Sequence, residues 1–360
     1  MPFRIAGLIA VCLIVASCDK EPAFPYPVYD ANFAALDAKI YWLDNNRILF
    51  TGFEGGKKPS STKNKSQIRW GLYIWDVDAG KVTKYADAKA LACFSDGYIE
   101  YTLKSESTKR DGEDYIIARR MEGPLGQEAL VETVFPKDPK KREKKDRSKE
   151  IFNRFTCHHQ ERPESMKERI MIPLKVEHGY LDFGDGAGTK EDFELKGTLV
   201  KPNGEHIETE LPLKAISRFF KFYPFRQAYF GMHTPGPAIL NWDLTNCHPA
   251  WWFWPDGSSE RKCIPYGPWS AGSGELIVHA TQNGILIKYA NPSNSKAGRD
   301  SGGYLLKDDE AEKVMDGLMF HEAISPDGCR VGFVHMKDVE AGRIGGKGIR
   351  TIRAIDVCSR

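Results

Sequence analysis

The feature that most constrains this chain is the way turn residues and strand-forming residues alternate from residue 35 to the end. Leu43-Asp44-Asn45-Asn46 leads into RILFTGF, and LYIWDVDAGKVTKY follows at Leu72 to Tyr85. Phe94-Ser95-Asp96-Gly97 leads into YIEYTLK and then YIIAR, and Glu177-His178-Gly179 leads into YLDFG and GTLVKPNGEHIETELPL. Tyr223-Pro224-Phe225 opens RQAYFGM, AILNWDL and WWFWPDGSSERKCIPYG. GELIVHA and GILIKYA precede GGYLLKDDEAEKV, and Ile324-Ser325-Pro326-Asp327-Gly328 leads into CRVGFVHM and a final RTIRAIDV. β-Branched and aromatic residues fill the runs, while Gly, Pro, Asp and Asn punctuate them, which is strand-and-turn chemistry.

Units of roughly 45–60 residues made of short strands cannot bury their own faces, so they must stack on their neighbours. The spacing therefore predicts an all-β fold, a β-propeller of about six blades, over 31–360; a two-sheet sandwich or two small β domains is the alternative. The 33 Gly and 21 Pro suit that class better than a long-helix one. The last unit stops after one outer strand, so a closed ring must take its missing edge strand from elsewhere, and residues 31–43 (ANFAALDAKIYWL) are the obvious supplier. ISPDGCRVGFVH resembles the SPDG-plus-strand element of TolB-like propellers, and LYIWDVDAGKVTKY is similar to the Trp-Asp strand of WD repeats. These resemblances imply architecture and no activity. The stretch 136–150 (PKDPKKREKKDRSKE) is too charged for a strand and reads as an insertion between units.

At the other end, a single cation, Arg4, precedes an apolar run from Ile5 to Ala16 that is too short to span a hydrocarbon core of ~30 Å. It reads as the core of an export signal. The run ends in Val15-Ala16-Ser17-Cys18, which resembles the lipobox of bacterial lipoproteins. That resemblance implies a signal peptide at 1–17, lipid attachment at Cys18 and a Pro-rich tether over 18–30. It places the protein at the bacterial cell envelope, on the periplasmic face of the inner or outer membrane. Two or three acyl chains at ~0.8 kcal/mol per buried methylene make a stable anchor.

Export also decides the cysteines. Of eight, removing Cys12 with the signal and giving Cys18 to lipid leaves six: Cys93, Cys157, Cys247, Cys263, Cys329 and Cys358. An even number in an exported chain points to disulfides. Cys329 and Cys358 end two consecutive predicted strands, and they face each other if Met336 pairs with Thr351 in an antiparallel hairpin. Cys247 and Cys263 flank the Pro255-Asp256-Gly257 turn. Cys93 and Cys157 are left by elimination. Zinc is disfavoured because no C-x-x-C or H-x-x-x-H spacing occurs.

Few motifs carry chemistry. Lys137 to Lys149 is a basic run that could meet anionic lipid, though a solvated loop uses the same residues. Trp251, Trp252 and Trp254, with Trp242 nearby, are candidate stacking surfaces for sugar rings or a protein partner, weighed against packing between neighbouring units. His158 and His159, beside Cys157, would point to opposite faces of a strand and so rarely share a metal. Residues 184–190 (GDGAGTK) lack the order of a phosphate loop and the ligand spacing of a calcium loop, which leaves a hairpin turn. Residues 267–272 (GPWSAG) put Pro268 where the nucleophile elbow of a hydrolase needs close backbone approach. No catalytic, metal or cofactor motif is identified. Fifty-one Lys and Arg against 49 Asp and Glu exclude the broad basic excess of a dedicated nucleic-acid binder. The expected function is a membrane-anchored protein-interaction or scaffolding module whose partner is another envelope protein. A carbohydrate-binding or carbohydrate-cleaving propeller is the alternative.

Overall fold

The computed structural model describes residues 24–34, 39–53, 71–110, 112–138, 169–185, 196–212, 220–232, 247–265, 275–290, 301–308, 310–336 and 350–359. They form antiparallel strands joined by tight turns, and no α-helix occurs among the described residues. The described residues form six sheets, four of them meanders in strict chain order. Sheet I holds β2 (Ile40–Trp42), β3 (Arg47–Gly52), β4 (Gly71–Asp76) and β5 (Lys81–Ala86). Sheet II holds β6 (Ala90–Ser95), β7 (Tyr98–Thr102), β8 (Glu106–Arg110), β9 (Glu113–Pro124) and β10 (Ala129–Pro136), with β7 and β8 lying end to end along β9. Sheet III holds β11 (Arg169–Pro173), β12 (Tyr180–Asp185), β13 (Lys196–Val200) and β14 (His206–Pro212). Sheet IV holds β15 (Lys221–Tyr223), β16 (Ala228–Met232), β17 (Cys247–Phe253) and β18 (Ser259–Pro265). Sheet V holds β19 (Glu275–Thr281), β20 (Gly284–Ala290), β21 (Gly302–Lys307) and β22 (Glu310–Asp316). Sheet VI joins β23 (Leu318–Ile324), β24 (Arg330–Met336) and β25 (Arg350–Asp356) to β1 (Val28–Ala34) from the other end of the chain.

The turns show why the punctuation residues stand where they do. In Ser325-Pro326-Asp327-Gly328, Ser325 Oγ accepts from the Arg330 amide at 2.8 Å, and Asp327 Oδ1 accepts from the Cys329 amide at 3.0 Å. Gly328 has φ 76°, and a Cβ there would meet the Phe225 ring at 2.6 Å. Asp44, Asp182, Asp256 and Asp356 each accept from the amide two residues on, the local bond that makes Asp a turn former.

Five apolar clusters lie at five seams between successive sheets. Leu49, Leu72 and Ile99 fill the seam of sheets I and II; Leu181, Phe183, Phe220 and Phe253 fill that of III and IV. Phe230, Trp252, Val278 and Tyr289 fill the seam of IV and V, and Leu286, Leu305, Val331 and Phe333 that of V and VI. Trp42, Ile48, Phe50, Trp75 and Ile352 fill the seam where sheet VI returns to sheet I. Sheets II and III touch through Lys175 Nζ and Asp96 at 3.3 Å. Sheets packed in chain order, with the last against the first, make a ring, and Trp42 Nε1 donating to the Ala323 carbonyl at 2.9 Å helps to close it. This is a β-propeller, and β1 pairing with β25 fastens its two ends.

Two expectations about that closure change. The closing strand is Val28–Ala34, whereas Ile40–Trp42, assigned with it from the sequence, opens sheet I instead. The folded ring also starts before residue 31, because Phe24 and Tyr26 pack into the cluster of sheets V and VI. The apolar pattern of 31–43 fits either role, and only the pairing partner distinguishes them.

Disulfides join Cys329 to Cys358 and Cys247 to Cys263, with Cα–Cα distances of 5.1 and 5.4 Å. The register differs from expectation by one residue. Met336 pairs with Arg350 and His335 with Thr351, which sets the Val357 amide on the Cys329 carbonyl at 2.8 Å. The bridge is therefore diagonal, just beyond the last strand pair. The second is diagonal as well, since Cys263 pairs with Pro249. Cys93, on β6, is also disulfide-bonded; Cys157, its expected partner, lies outside the described residues.

Candidate functional site

The inner strands β15, β19 and β23 converge on a polar cluster formed by Lys221, Tyr223, His279, Lys288 and Glu322. Convergence is direct: Lys221 Nζ of sheet IV donates to the Glu322 carbonyl of sheet VI at 3.4 Å, across the sheet that separates them in sequence. Strand register puts the other members on one face. Ile277 pairs with Lys288, so Lys288 and His279, two residues beyond Ile277, project together from sheet V. On sheet VI the pairing shifts between Phe320 and Ala323, and His321 there takes a left-handed φ of 55°. That bulge re-aims Glu322 at sheet V.

Lys288 Nζ lies 3.1 Å from Glu322 Oε1, His279 Nε2 lies 3.7 Å from Glu322 Oε2, and Tyr223 Oη lies 3.5 Å from His279 Nδ1. His279, Lys288 and Glu322 are buried. Burial pushes His279 down to about 4, with the Lys221 ammonium acting in the same direction, so its imidazole is neutral at pH 7. The neutral imidazole lies between the two, with Nδ1 in hydrogen-bond range of the Tyr223 hydroxyl and Nε2 facing Glu322 beyond hydrogen-bond length. Burial alone would raise Glu322, but the neighbouring His279 and the charge of Lys288 outweigh it and hold the carboxyl below its usual range. Burial lowers Lys221, with Glu322 opposing and Lys288 reinforcing. Lys221 nevertheless keeps solvent access.

None of these residues stands out in a motif. Their signal is a polar residue inside a largely apolar strand: His279 in GELIVHA, Lys288 in GILIKYA and Glu322 in LMFHEAI. The aromatic residues that do stand out have a different place. Trp252 is 4% exposed in the seam of sheets IV and V, its ring 4.9 Å from that of Phe230 and 4.8 Å beneath the Arg226 guanidinium. Phe253 points the other way into the seam of III and IV. Trp251 and Trp254 are half-buried at the edges of those two clusters. Trp242, Cys18, His158, His159, and the stretches 139–150, 186–190 and 267–272 lie outside the described residues.

No known protein family and no curated protein matches this sequence. Among solved structures, the β-propeller domain of the Trilobed protease from Pyrococcus furiosus is 12% identical with a TM-score of 0.32, covering 85% of this chain and 80% of that one. Acylaminoacyl peptidase from Pyrococcus horikoshii is 14% identical with a TM-score of 0.32; the alignment takes in 86% of this chain but only 44% of that one. Oligogalacturonate lyase from Vibrio parahaemolyticus is 11% identical with a TM-score of 0.43, covering 92% and 94%. At such identities the likeness brings neither substrate nor mechanism to this chain.

Proposed function

We propose that this protein is a six-bladed propeller lipoprotein, held at the bacterial cell envelope by lipid on Cys18 and working as a protein-interaction module. The reading rests on the lipobox-like sequence and, in the folded part, on one observation: β10 is an outer edge strand built unlike the others. Outer strands β5, β14, β18 and β22 carry Lys81 and Lys84, Glu208 and Glu210, Glu260 to Lys262, and Glu310 to Lys313, charges that keep sheet edges apart. β1 is broken by a bulge. β10, ALVETVFP, has Glu132 as its single charge and exposes Leu130 and Val134 on one face at 52% and 40%. An edge of that composition suits strand addition by a partner, main-chain bonds giving affinity and the two apolar side chains giving selectivity.

In-cell crosslinking of the tagged lipoprotein, followed by capture and mass spectrometry, tests this. The expected result is one or two envelope proteins recovered near stoichiometrically from wild type and lost with Leu130→Asp. Recovery of abundant bystanders only, in equal amounts from both, would overturn it. A glycan-binding propeller is the second reading, supported by the part-open rings of Trp251 and Trp254, and it predicts tryptophan quenching by envelope glycans.

A further inference from the structure

We propose that the face of the ring lined by the first turn of each sheet is turned to the anchoring membrane, so that the β8–β9–β10 arm of sheet II meets its partner on the side away from the lipid. This inference rests on the lipid anchor at Cys18 proposed above.

The first turns lie together at one end of the strands. The Asp327 amide, in the first turn of sheet VI, donates to Asn45 Oδ1 in that of sheet I at 3.0 Å. The Gly328 carbonyl accepts from the Gln282 amide in the first turn of sheet V at 2.9 Å, and Gly328 lies against the Phe225 ring from that of sheet IV. Further round, Lys175 in the first turn of sheet III meets Asp96 in that of sheet II at 3.3 Å. Arg330 ties the β4–β5 turn to the same face through Asp78 at 2.7 Å. The chain enters the ring here as well. The Pro27 carbonyl accepts from the Asp356 amide at 3.1 Å, and the Val357 carbonyl, one residue on, accepts from Asn283 Nδ2 beside Gln282 at 2.7 Å. Phe24 and Tyr26 pin the entering chain to the seam of sheets V and VI.

Reach then sets the orientation. Six residues, Cys18 to Ala23, precede Phe24 in the lipidated chain. Fully stretched they span about 20 Å. The opposite face lies farther away, because a seven-residue strand such as β24 is itself about 23 Å long. The tether can seat the first-turn face on the membrane and falls short of seating the other. Sheet II grows in the opposite direction. β9 pairs with β7 over residues 120–124 and with β8 over 113–117, so the arm extends past Thr102, the end of β7 opposite the Asp96-Gly97 turn. Val134, paired with Ile117, lies on this extension. A protein that adds a strand there offers it from the aqueous compartment rather than from within the bilayer.

The test uses the lipidated full-length protein in vesicles of phosphatidylethanolamine and phosphatidylglycerol, with rhodamine on a fraction of the headgroups. A fluorescent donor is attached through azidophenylalanine at one site per protein: Gln282 or Ala79 on the first-turn face, Lys89 or Lys109 at the other end of sheet II. All four positions are exposed. Donor emission should be lost to the rhodamine lipid at Gln282 and Ala79 and retained at Lys89 and Lys109. Equal emission at all four sites, or deeper quenching at Lys89 or Lys109, from a protein whose N-terminal peptide carries lipid by mass spectrometry would overturn this orientation and leave the anchor standing. An N-terminal peptide without lipid would overturn the anchor, and this inference with it.

Discussion

Sheets II and IV are both antiparallel and end in a hairpin, but they bury that hairpin in opposite ways. In sheet IV the central strand is buried on both faces, Trp252 entering one seam and Phe253 the other, so the sheet is clamped between two neighbours. In sheet II the long β9–β10 hairpin is half-buried or exposed. Its two strands are joined along their length by main-chain pairing, with ion pairs at the surface: Arg119 with Glu106 and Glu132 at 2.6 Å each and Arg120 with Glu122 at 2.7 Å. The difference lies in where the large apolar side chains fall. A buried aromatic removes 150–250 Å² from water, whereas an exposed ion pair contributes little. The buried aromatic core is therefore concentrated around sheet IV, while the β9–β10 edge of sheet II carries the exposed surface on which the proposed partner would dock.

The largest effect that can break this comparison is Trp252→Ala. Truncating a buried Trp should cost about 3–5 kcal/mol, read as a fall in denaturant midpoint at constant slope. If the loss is no greater than that from changes in sheet II, the comparison fails. Glu322→Gln leaves Lys288 buried beside a neutral amide, and breaking a buried pair this way should cost about 3 kcal/mol. Adding Lys288→Met to it should recover part of that loss, since the stranded charge is then gone. Opening Cys329–Cys358 by a double Ser substitution should cost ~3–4 kcal/mol on the chain-entropy argument for a separation of 29 residues. Reductant should destabilise the wild type by more than it does the double variant, which keeps Cys247–Cys263 and the bridge at Cys93.

Acid should act through the same network. His279 is depressed from its ordinary 6.5 to about 4, so between those values the unfolded chain binds the extra proton and stability falls as pH falls. Glu322, held below its usual range, continues the loss at lower pH. His279→Gln should flatten the stability profile between pH 6.5 and 4, and an unchanged slope there would refute the assignment. The smallest effect belongs to sheet II: Arg119→Ala should leave the denaturation midpoint within experimental error, as exposed pairs usually do.

Much of this architecture was legible in the residues. Short strands set off by Asp-Gly and Asn-rich turns predict meanders, and the pairing of Cys247 with Cys263 and of Cys329 with Cys358 follows from hairpins whose turns are visible. Register was less legible, because a slip of one residue, such as Met336 facing Arg350 rather than Thr351, leaves both cysteines within bridging distance. The aromatic run at 251–254 reads equally well as a binding surface and as a core. Its placement in two seams depends on which sheets flank it.

The sequence by itself determined what is local: the strands, the turn chemistry, the number of cysteines available to pair and the need of each small sheet for neighbours. Only the tertiary structure decided which end of the chain supplies the closing strand and which polar residues meet inside the ring. Lys221, His279, Lys288 and Glu322 come from three sheets, and nothing in its own strand marks any of them as part of a cluster. Their common environment is created by packing of the sheets, which brings residues from distant segments into contact.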